Sequence, residues 1–393
     1  MLTTNRSSRT NTYDAIVVGA RCAGAATAML LARRGWRVLV LDRSKRGADT
    51  LSTHSLMRVG VIQLHKWGLL DQVIDAGTPP IHRALFRYSD ETTVVDIEPS
   101  GGVDALYAPR RTVLDPILVQ AACDAGAQVR FGVTVTDLER DRSTGRVVGV
   151  KGHDRHGDPI RALAPITIGA DGVRSRVADK VDATIYRRGQ QASALVYSYW
   201  SDVEAAGYEW CFANQRFAGL IPTNDGQVCA FVGVPSREFD RREFGGEGAQ
   251  GWFRQQFAQA AGAITTRLDN GTRHGRFHVF PGVRGYFRKA HGPGWALVGD
   301  ATYFKDPISA HGISDALRDS QLLVDALEDE SSDDPLAGYQ EKRDELSDHL
   351  SDVTDRLAGY DWTPQQVRHL LVDLSKSMKA EVDAMATLAG VID

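Results

Sequence analysis

The sequence predicts an α/β chain: a parallel sheet interrupted by a largely antiparallel β insertion and followed by helices. Three observations carry this. The apolar run Asp14–Val18 stops at Gly19, and a small-residue helical segment and a second apolar run, Val38–Leu41, follow, which is one right-handed parallel crossover of about 30 residues. Between residues 186 and 281 the texture turns strand-like and aromatic. After Gly312 the pattern is helical to the end.

Each element has a local reason. Residues 1–12 are polar and read as a loose arm. Ala25–Arg34 is rich in Ala, Leu and Met and closes at Gly35, the residue type expected after a helix C-terminus. Asp115-Pro116 reads as an N-cap followed by a first-turn proline, opening a helix that runs to Ala125. Gln128–Val150 alternates apolar and polar residues around Ser143-Thr144-Gly145, as strands joined by a turn do. Leu195–Trp200, Phe217–Pro222 and Val228–Val234 supply the inserted sheet, and Trp295–Val298 returns to the buried-strand pattern. Ser331–Pro335 and Thr363-Pro364 mark helix boundaries.

Composition narrows the function. The chain has 393 residues, 42% hydrophobic and 24% charged, enough apolar side chain for a large core and too much for disorder. A net charge of -4, from 46 basic and 50 acidic residues, argues against a nucleic-acid partner. Cys22, Cys123, Cys211 and Cys229 are scattered with no C-x-x-C pair, so no metal site or disulfide framework is indicated. No apolar stretch approaches membrane-spanning length and the N-terminus lacks an apolar leader core, so the expectation is a cytoplasmic protein with no membrane partner.

A strict G-x-G-x-x-G occurs at Gly246–Gly251, but it follows the charged stretch Arg237–Glu243 in place of a buried strand and reads as a surface loop. The better candidate is Gly19-Ala20-Arg21-Cys22-Ala23-Gly24, set between strand and helix. There Gly19 permits the turn, Gly24 permits close packing of helix on strand, and the helix N-terminus offers N–H groups to phosphate. Asp42, followed by Arg43, ends the next strand 23 residues after Gly19, near the spacing of a ribose-binding acid. Arg21 stands where a second glycine is usual, so its side chain either turns away from the diphosphate or helps neutralise it.

Further segments carry a family resemblance. Ile166–Arg176, containing Asp171-Gly172, resembles the Asp-Gly signature of flavoprotein monooxygenases related to para-hydroxybenzoate hydroxylase. Leu297–Ala301, containing Gly299-Asp300 and followed by Pro307 and Gly312, resembles their Gly-Asp signature, and Arg111–Asp115 resembles their R-x-x-L-D segment. The resemblance implies a Rossmann-like, glutathione-reductase-like FAD-binding domain from 13–80, 101–185 and 282–330, a substrate domain from 81–100 and 186–281, and a helical segment from 331–393. It implies that Arg111 contacts FAD, that Asp300 accepts hydrogen bonds from ribityl hydroxyls, and that Asp171 and Arg174 supply a polar mouth where Gly172 allows close backbone approach. Pro307, His311, Gly312 and Ile313 then face the pyrimidine side of the flavin, where a helix N-terminus stabilises charge gained on reduction. Ala310 occupies a glycine position of that loop, and His311 beside it either orients substrate, exchanges a proton or packs as a loop histidine. His54 falls in the segment that relatives pass near the isoalloxazine ring and is a second catalytic candidate.

The activity implied is hydroxylation or epoxidation of an aromatic or polycyclic small molecule through a flavin C4a-hydroperoxide, with dioxygen as co-substrate. NAD(P)H is a transient reductant, or a separate flavin reductase supplies the electrons, because no second nucleotide fingerprint is present. Tyr197, Tyr199, Trp210, Phe212 and Phe280 are candidates to line the substrate pocket, although such an aromatic stripe also suits plain core. Competing readings are a reductase of the geranylgeranyl type, a flavin halogenase, whose W-x-W-x-I-P pattern is missing, and a non-catalytic flavin-binding protein.

Overall fold

The computed structural model describes residues 12–88, 91–240, 242, 244 and 248–388. A six-stranded sheet at its centre has the order His291–Gly292, Trp295–Leu297, Ile166–Gly169, Ala15–Val18, Val38–Asp42 and Gln128–Phe131, parallel except at the His291–Gly292 edge. Strand periodicity gives these runs two apolar faces. Ala15, Val17, Val38 and Val40 pack into the core that contains the helices, and Ile16, Val18, Leu39 and Leu41 pack on a three-stranded antiparallel sheet. That smaller sheet is Val133–Arg140, Val147–Asp154 and Pro159–Leu163. On the other face lie the helices Cys22–Arg33, Arg111–Asp124 and Gly312–Leu327.

The insertion is a seven-stranded sheet in the order Thr272–Phe280, Ser193–Ser201, Val228–Pro235, Arg216–Pro222, Tyr208–Ala213, Arg83–Tyr88 and Glu91–Asp96. Tyr208–Ala213 runs parallel to Arg83–Tyr88 and every other pair is antiparallel. Alternation again divides the faces: Leu195, Tyr197 and Tyr199 point into the main core, while Val196 and Trp200 point to a second core. The helix Gly248–Asn270, kinked at Ala261, covers that second core with Phe253, Phe257, Ile264 and Leu268. The helices Pro335–Leu357 and Pro364–Leu388 close the molecule, packing on each other and on Gly312–Leu327 and Arg58–Lys66.

Several local expectations are corrected. The helix assigned to Asp115-Pro116 starts at Arg111, with Pro116 inside it, so Asp115 caps nothing and pairs with Arg111 one turn back. Residues 1–11 lie outside the described residues, and Thr12 forms a parallel bridge with Leu163. Of the rejected glycine motif, Gly246 and Glu247 lie outside the described residues, and Gly248–Gly251 open a helix where a loop was expected. Asp334 caps Pro335–Leu357 by accepting from the Ala337 N–H, as its sequence position suggests.

The covering helix is integral to the sheet it shields. Phe253 is fully buried, with its ring 5.2 Å from that of Trp200 and 5.0 Å from that of Phe277. Phe253→Ala is expected to lower stability by about 3–5 kcal/mol, read from the urea midpoint at unchanged slope. A loss below about 1 kcal/mol would place this helix outside the cooperative core.

Candidate functional site

The first strand ends on Gly19, whose φ of +105° is the conformation glycine adopts without a side-chain clash. A Cβ on Gly24 would stand 1.9 Å from the Gly19 carbonyl oxygen, so the helix Cys22–Arg33 starts hard against the strand end. No side chain caps that helix, which leaves its first N–H groups to whatever binds there. Asp42 ties the turn to the second strand, accepting from the Ala20 N–H at 2.8 Å and from the Ser44 N–H at 2.7 Å. The Arg21 side chain stays at the rim, donating to the Asp49 carbonyl at 3.2 Å and reaching Asp115 at 3.5 Å. Asp115 is held more tightly by Arg111, at 2.8 Å, and accepts from the Cys22 thiol at 3.2 Å.

From this turn a cavity of 580 Å³ runs past Asp171 and Asp300 to the loop Pro307–Ile313, and the inserted sheet walls it with Leu195, Tyr197 and Phe280. It lies at the C-terminal ends of the parallel strands, where open α/β sheets bind ligands. Arg43, Arg111, Gly172, His54 and His311 also line it. Ala20, Gly24 and Gly299 do not; they stand behind the wall. Tyr199, Trp210 and Phe212 do not line it either. Trp210 stacks on Phe217 at 5.8 Å and Phe212 on the same ring at 4.9 Å, so core packing claims both. Arg110, beside Arg111, lies largely buried, 4.0 Å over the Tyr199 ring.

The carboxylates differ in what they have left to offer. Asp171 accepts from the Ser175 hydroxyl at 2.5 Å and from the Arg176 and Val177 N–H groups, anchoring the short helix Arg176–Lys180. Burial pushes its carboxyl above the ordinary value even against those hydrogen bonds. Asp300 receives no protein hydrogen bond on its carboxylate among the described residues, and its remaining exposure is to the cavity. Burial, then the nearby Asp315, raise it to about 6. An enclosed, uncommitted carboxylate is a strong acceptor for ligand hydroxyls.

The two histidines are positioned by partners. His54, at φ +72°, joins Nε2 to the Tyr199 hydroxyl at 2.6 Å, and burial, then Arg111 and Arg110, keep its imidazole neutral. His311 is wholly buried, with Nε2 2.7 Å from Glu381 and Nδ1 without a protein partner among the described residues. Ala310 just before it takes φ +51°, the left-handed conformation of the glycine it replaces. Asp306 fixes the start of this loop, accepting from the Ile308 N–H at 2.9 Å and the Ser193 N–H at 2.6 Å.

Sequence reasoning missed Lys305, which lines the cavity and pairs with Asp315, and the buried groups Arg318, Asp319 and Glu381 behind the loop. Asp315, Arg318 and Asp319 at i, i+3 and i+4 inside an apolar helix were a readable signal; Glu381, 70 residues from His311, gave none. His311, Asp315 and Glu381 bring ligand atoms within 4.8 Å of one another, as a cation site would. Lys305 and Arg318 already bond those two carboxylates, so protein cations fill that role.

These features define a flavin-nucleotide fold, and the chain belongs to the FAD-binding domain family, whose model matches residues 12–354. FAD is the cofactor of that family, and a cavity with a bare helix N-terminus at one end and the uncommitted Asp300 in its wall fits it. Among curated proteins, FixC of Salmonella typhimurium is 31% identical over 240 residues, 57% of this chain and 50% of FixC, so this chain spans about half of that relative. Violacein synthase of Chromobacterium violaceum is 26% identical over 88% of this chain and 85% of its own length. PqsL of Pseudomonas aeruginosa, described as a probable FAD-dependent monooxygenase, shares the fold with a TM-score of 0.77, 21% identity, and coverage of 92% of this chain and 100% of its own. A triple mutant of the flavin-dependent brominase Bmp2 also scores 0.77, at 18% identity over 96% and 99% of the two chains. Among the described residues, no helix is long and apolar enough to cross a membrane.

Gly24 offers a direct check of the turn. Gly24→Ala forces its Cβ against a backbone oxygen that cannot move without dragging the strand. The expected outcome is a fall in stability of about 2 kcal/mol or more together with loss of bound flavin, measured by thermal melting and by flavin absorbance of the purified protein. Wild-type melting and full flavin content would refute the close approach.

Proposed function

We propose that this FAD-dependent oxidoreductase is a monooxygenase acting on an aromatic or polycyclic small molecule, with NAD(P)H as reductant and dioxygen as co-substrate. The observation that carries the reading is one continuous cavity that joins the glycine turn to an apolar wall on the inserted sheet. The violacein synthase and PqsL likenesses lend it support. Residues 13–80, 101–185 and 282–330 hold the cofactor, and 81–100 and 186–281 hold substrate.

Bound FAD would supply two-electron chemistry and the activation of dioxygen, so the protein needs no nucleophile of its own. Its residues have four tasks. The N-terminus of Cys22–Arg33, with Arg21 and Arg111 beside it, counters the diphosphate charge. Asp300, in the cavity wall, would accept from ribityl hydroxyls, and the N-terminus of Gly312–Leu327 would favour charge gained on the ring. Tyr197, whose hydroxyl oxygen accepts from the Ser52 N–H at 3.0 Å and so keeps its own proton to donate, orients substrate with Phe280. Leu195, Tyr197, Phe280 and Phe304 keep water from the ring-facing end.

Two measurements test this. Hydroxyl donors favour the ionised form of Asp300, so binding draws its carboxyl down from about 6 and releases a proton. FAD affinity is therefore expected to rise with pH by up to about tenfold per unit below pH 6 and to level off above it, a slope that Asp300→Asn abolishes. A slope that survives in the variant removes Asp300 from the contact. For the reaction, turnover under labelled dioxygen is expected to place one labelled oxygen atom in the product; a reduced or halogenated product without label refutes the monooxygenase reading.

A further inference from the structure

Behind the cofactor loop sits a cluster of six ionisable side chains with almost no exposure: Lys305, His311, Asp315, Arg318, Asp319 and Glu381. Its contacts are specific. Glu381 joins His311 at 2.7 Å through one oxygen and Arg318 through the other. Arg318 also meets Asp319 at 2.6 Å, Asp315 at 3.3 Å and the Ser347 hydroxyl at 2.9 Å, and Lys305 closes the ring on Asp315. Burial raises the Glu381 carboxyl, yet His311 and Arg318 outweigh it and hold the group below the usual carboxylate range.

Five of the six lie within residues 305–319, on or next to the loop that faces the cavity. Glu381 comes from the final helix, Pro364–Leu388, beyond residue 354 where the family match stops. Among the described residues, Glu381 is the one charged group of this cluster that is not local to the loop; the neutral Ser347 hydroxyl, from Pro335–Leu357, also reaches Arg318. Removing it leaves Arg318 short of an acceptor and deprives Nε2 of His311, a residue whose Nδ1 already lacks a partner, of its 2.7 Å contact. Buried charges in that condition rearrange, and the backbone that carries them moves too.

We propose that Glu381 is a positioning residue for the flavin-ring end of the cavity, acting through His311 and Arg318 to fix the loop Pro307–Gly312, so that the final helix completes the cofactor site. The inference rests on the reading that this cavity takes FAD with its ring toward that loop. It distinguishes the ring end from the adenine end, near Gly19 and Asp42, which Glu381 does not touch.

The test uses the full chain stripped of flavin and titrated with FAD, with riboflavin as a probe of the ring end and ADP as a probe of the adenine end. Glu381→Gln keeps the side-chain volume and one hydrogen-bonding atom for each partner while removing the charge. It is expected to weaken FAD and riboflavin alike by about tenfold, the scale of one charge-assisted hydrogen bond, and to leave ADP unchanged. Leu374→Ala loosens the same helix without altering the cluster and should lower the melting temperature with no selective loss of riboflavin. Equal weakening of all three ligands by Glu381→Gln, or none, overturns the proposal. A wild-type chain that binds neither FAD nor riboflavin refutes the cofactor reading itself, and this inference with it.

Discussion

The contact on which the molecule depends is the approach of the first helix to the first strand, where Gly24 stands against the Gly19 carbonyl. It is possible only without a side chain. Because the helix begins there, its N–H groups and the positive end of its dipole lie at the carboxyl edge of the sheet. Asp42, ending one neighbouring strand, and Ala170, just past the end of the other, close on the same turn: Asp42 bonds the Ala20 N–H, and the Ala170 carbonyl lies where a Gly19 side chain would go. Shift that helix by the width of a methyl group and the site loses both its floor and its charge.

The cluster around Arg318 poses the opposite energetic problem. Taking an ion pair out of water costs several kcal/mol per ion, and a well-packed apolar core of similar volume is often as stable. Such groups endure where a particular geometry matters and where each charge has a partner. Here all three carboxylates reach a cation, and Arg318 alone bridges Asp315, Asp319 and Glu381. The arrangement constrains the loop above it more narrowly than apolar packing would, since each ion pair has a preferred direction and separation.

Legibility followed physical range. The strand Ala15–Val18, its turn and the helix after it were readable because every determinant lies within one crossover: apolar run, glycine, small residues, acid. The inserted sheet was readable as strands, yet its parallel pairing of Tyr208–Ala213 with Arg83–Tyr88 joins segments some 120 residues apart and has no local signature. Asp115-Pro116 misled because the pair reads as a helix start, yet the helix opens at Arg111 and carries Pro116 inside it at the loss of one backbone hydrogen bond, while the Asp115 carboxylate is taken up by Arg111. Tyr197 and Tyr199 alternate in phase on one strand, but only Tyr197 lines the cavity; Tyr199 is held by His54 and Arg110, a matter of tertiary neighbours that periodicity does not encode.

The two departures from glycine at the cofactor loops are instructive together. Arg21 and Ala310 each stand where the resemblance expects no side chain, and each is tolerated by a different device. Arg21 extends along the rim to Asp49 and Asp115, so its bulk stays out of the turn while its charge stays near it. Ala310 accepts the left-handed backbone outright, at about 1–2 kcal/mol for a residue with a Cβ. That conformation persists only if its flanks hold it. Asp306 grips the loop on one side, and on the other the His311 ring is fixed to Glu381. A glycine at 310 would take that backbone without the steric cost, whereas the alanine depends on the contacts that hold its flanks.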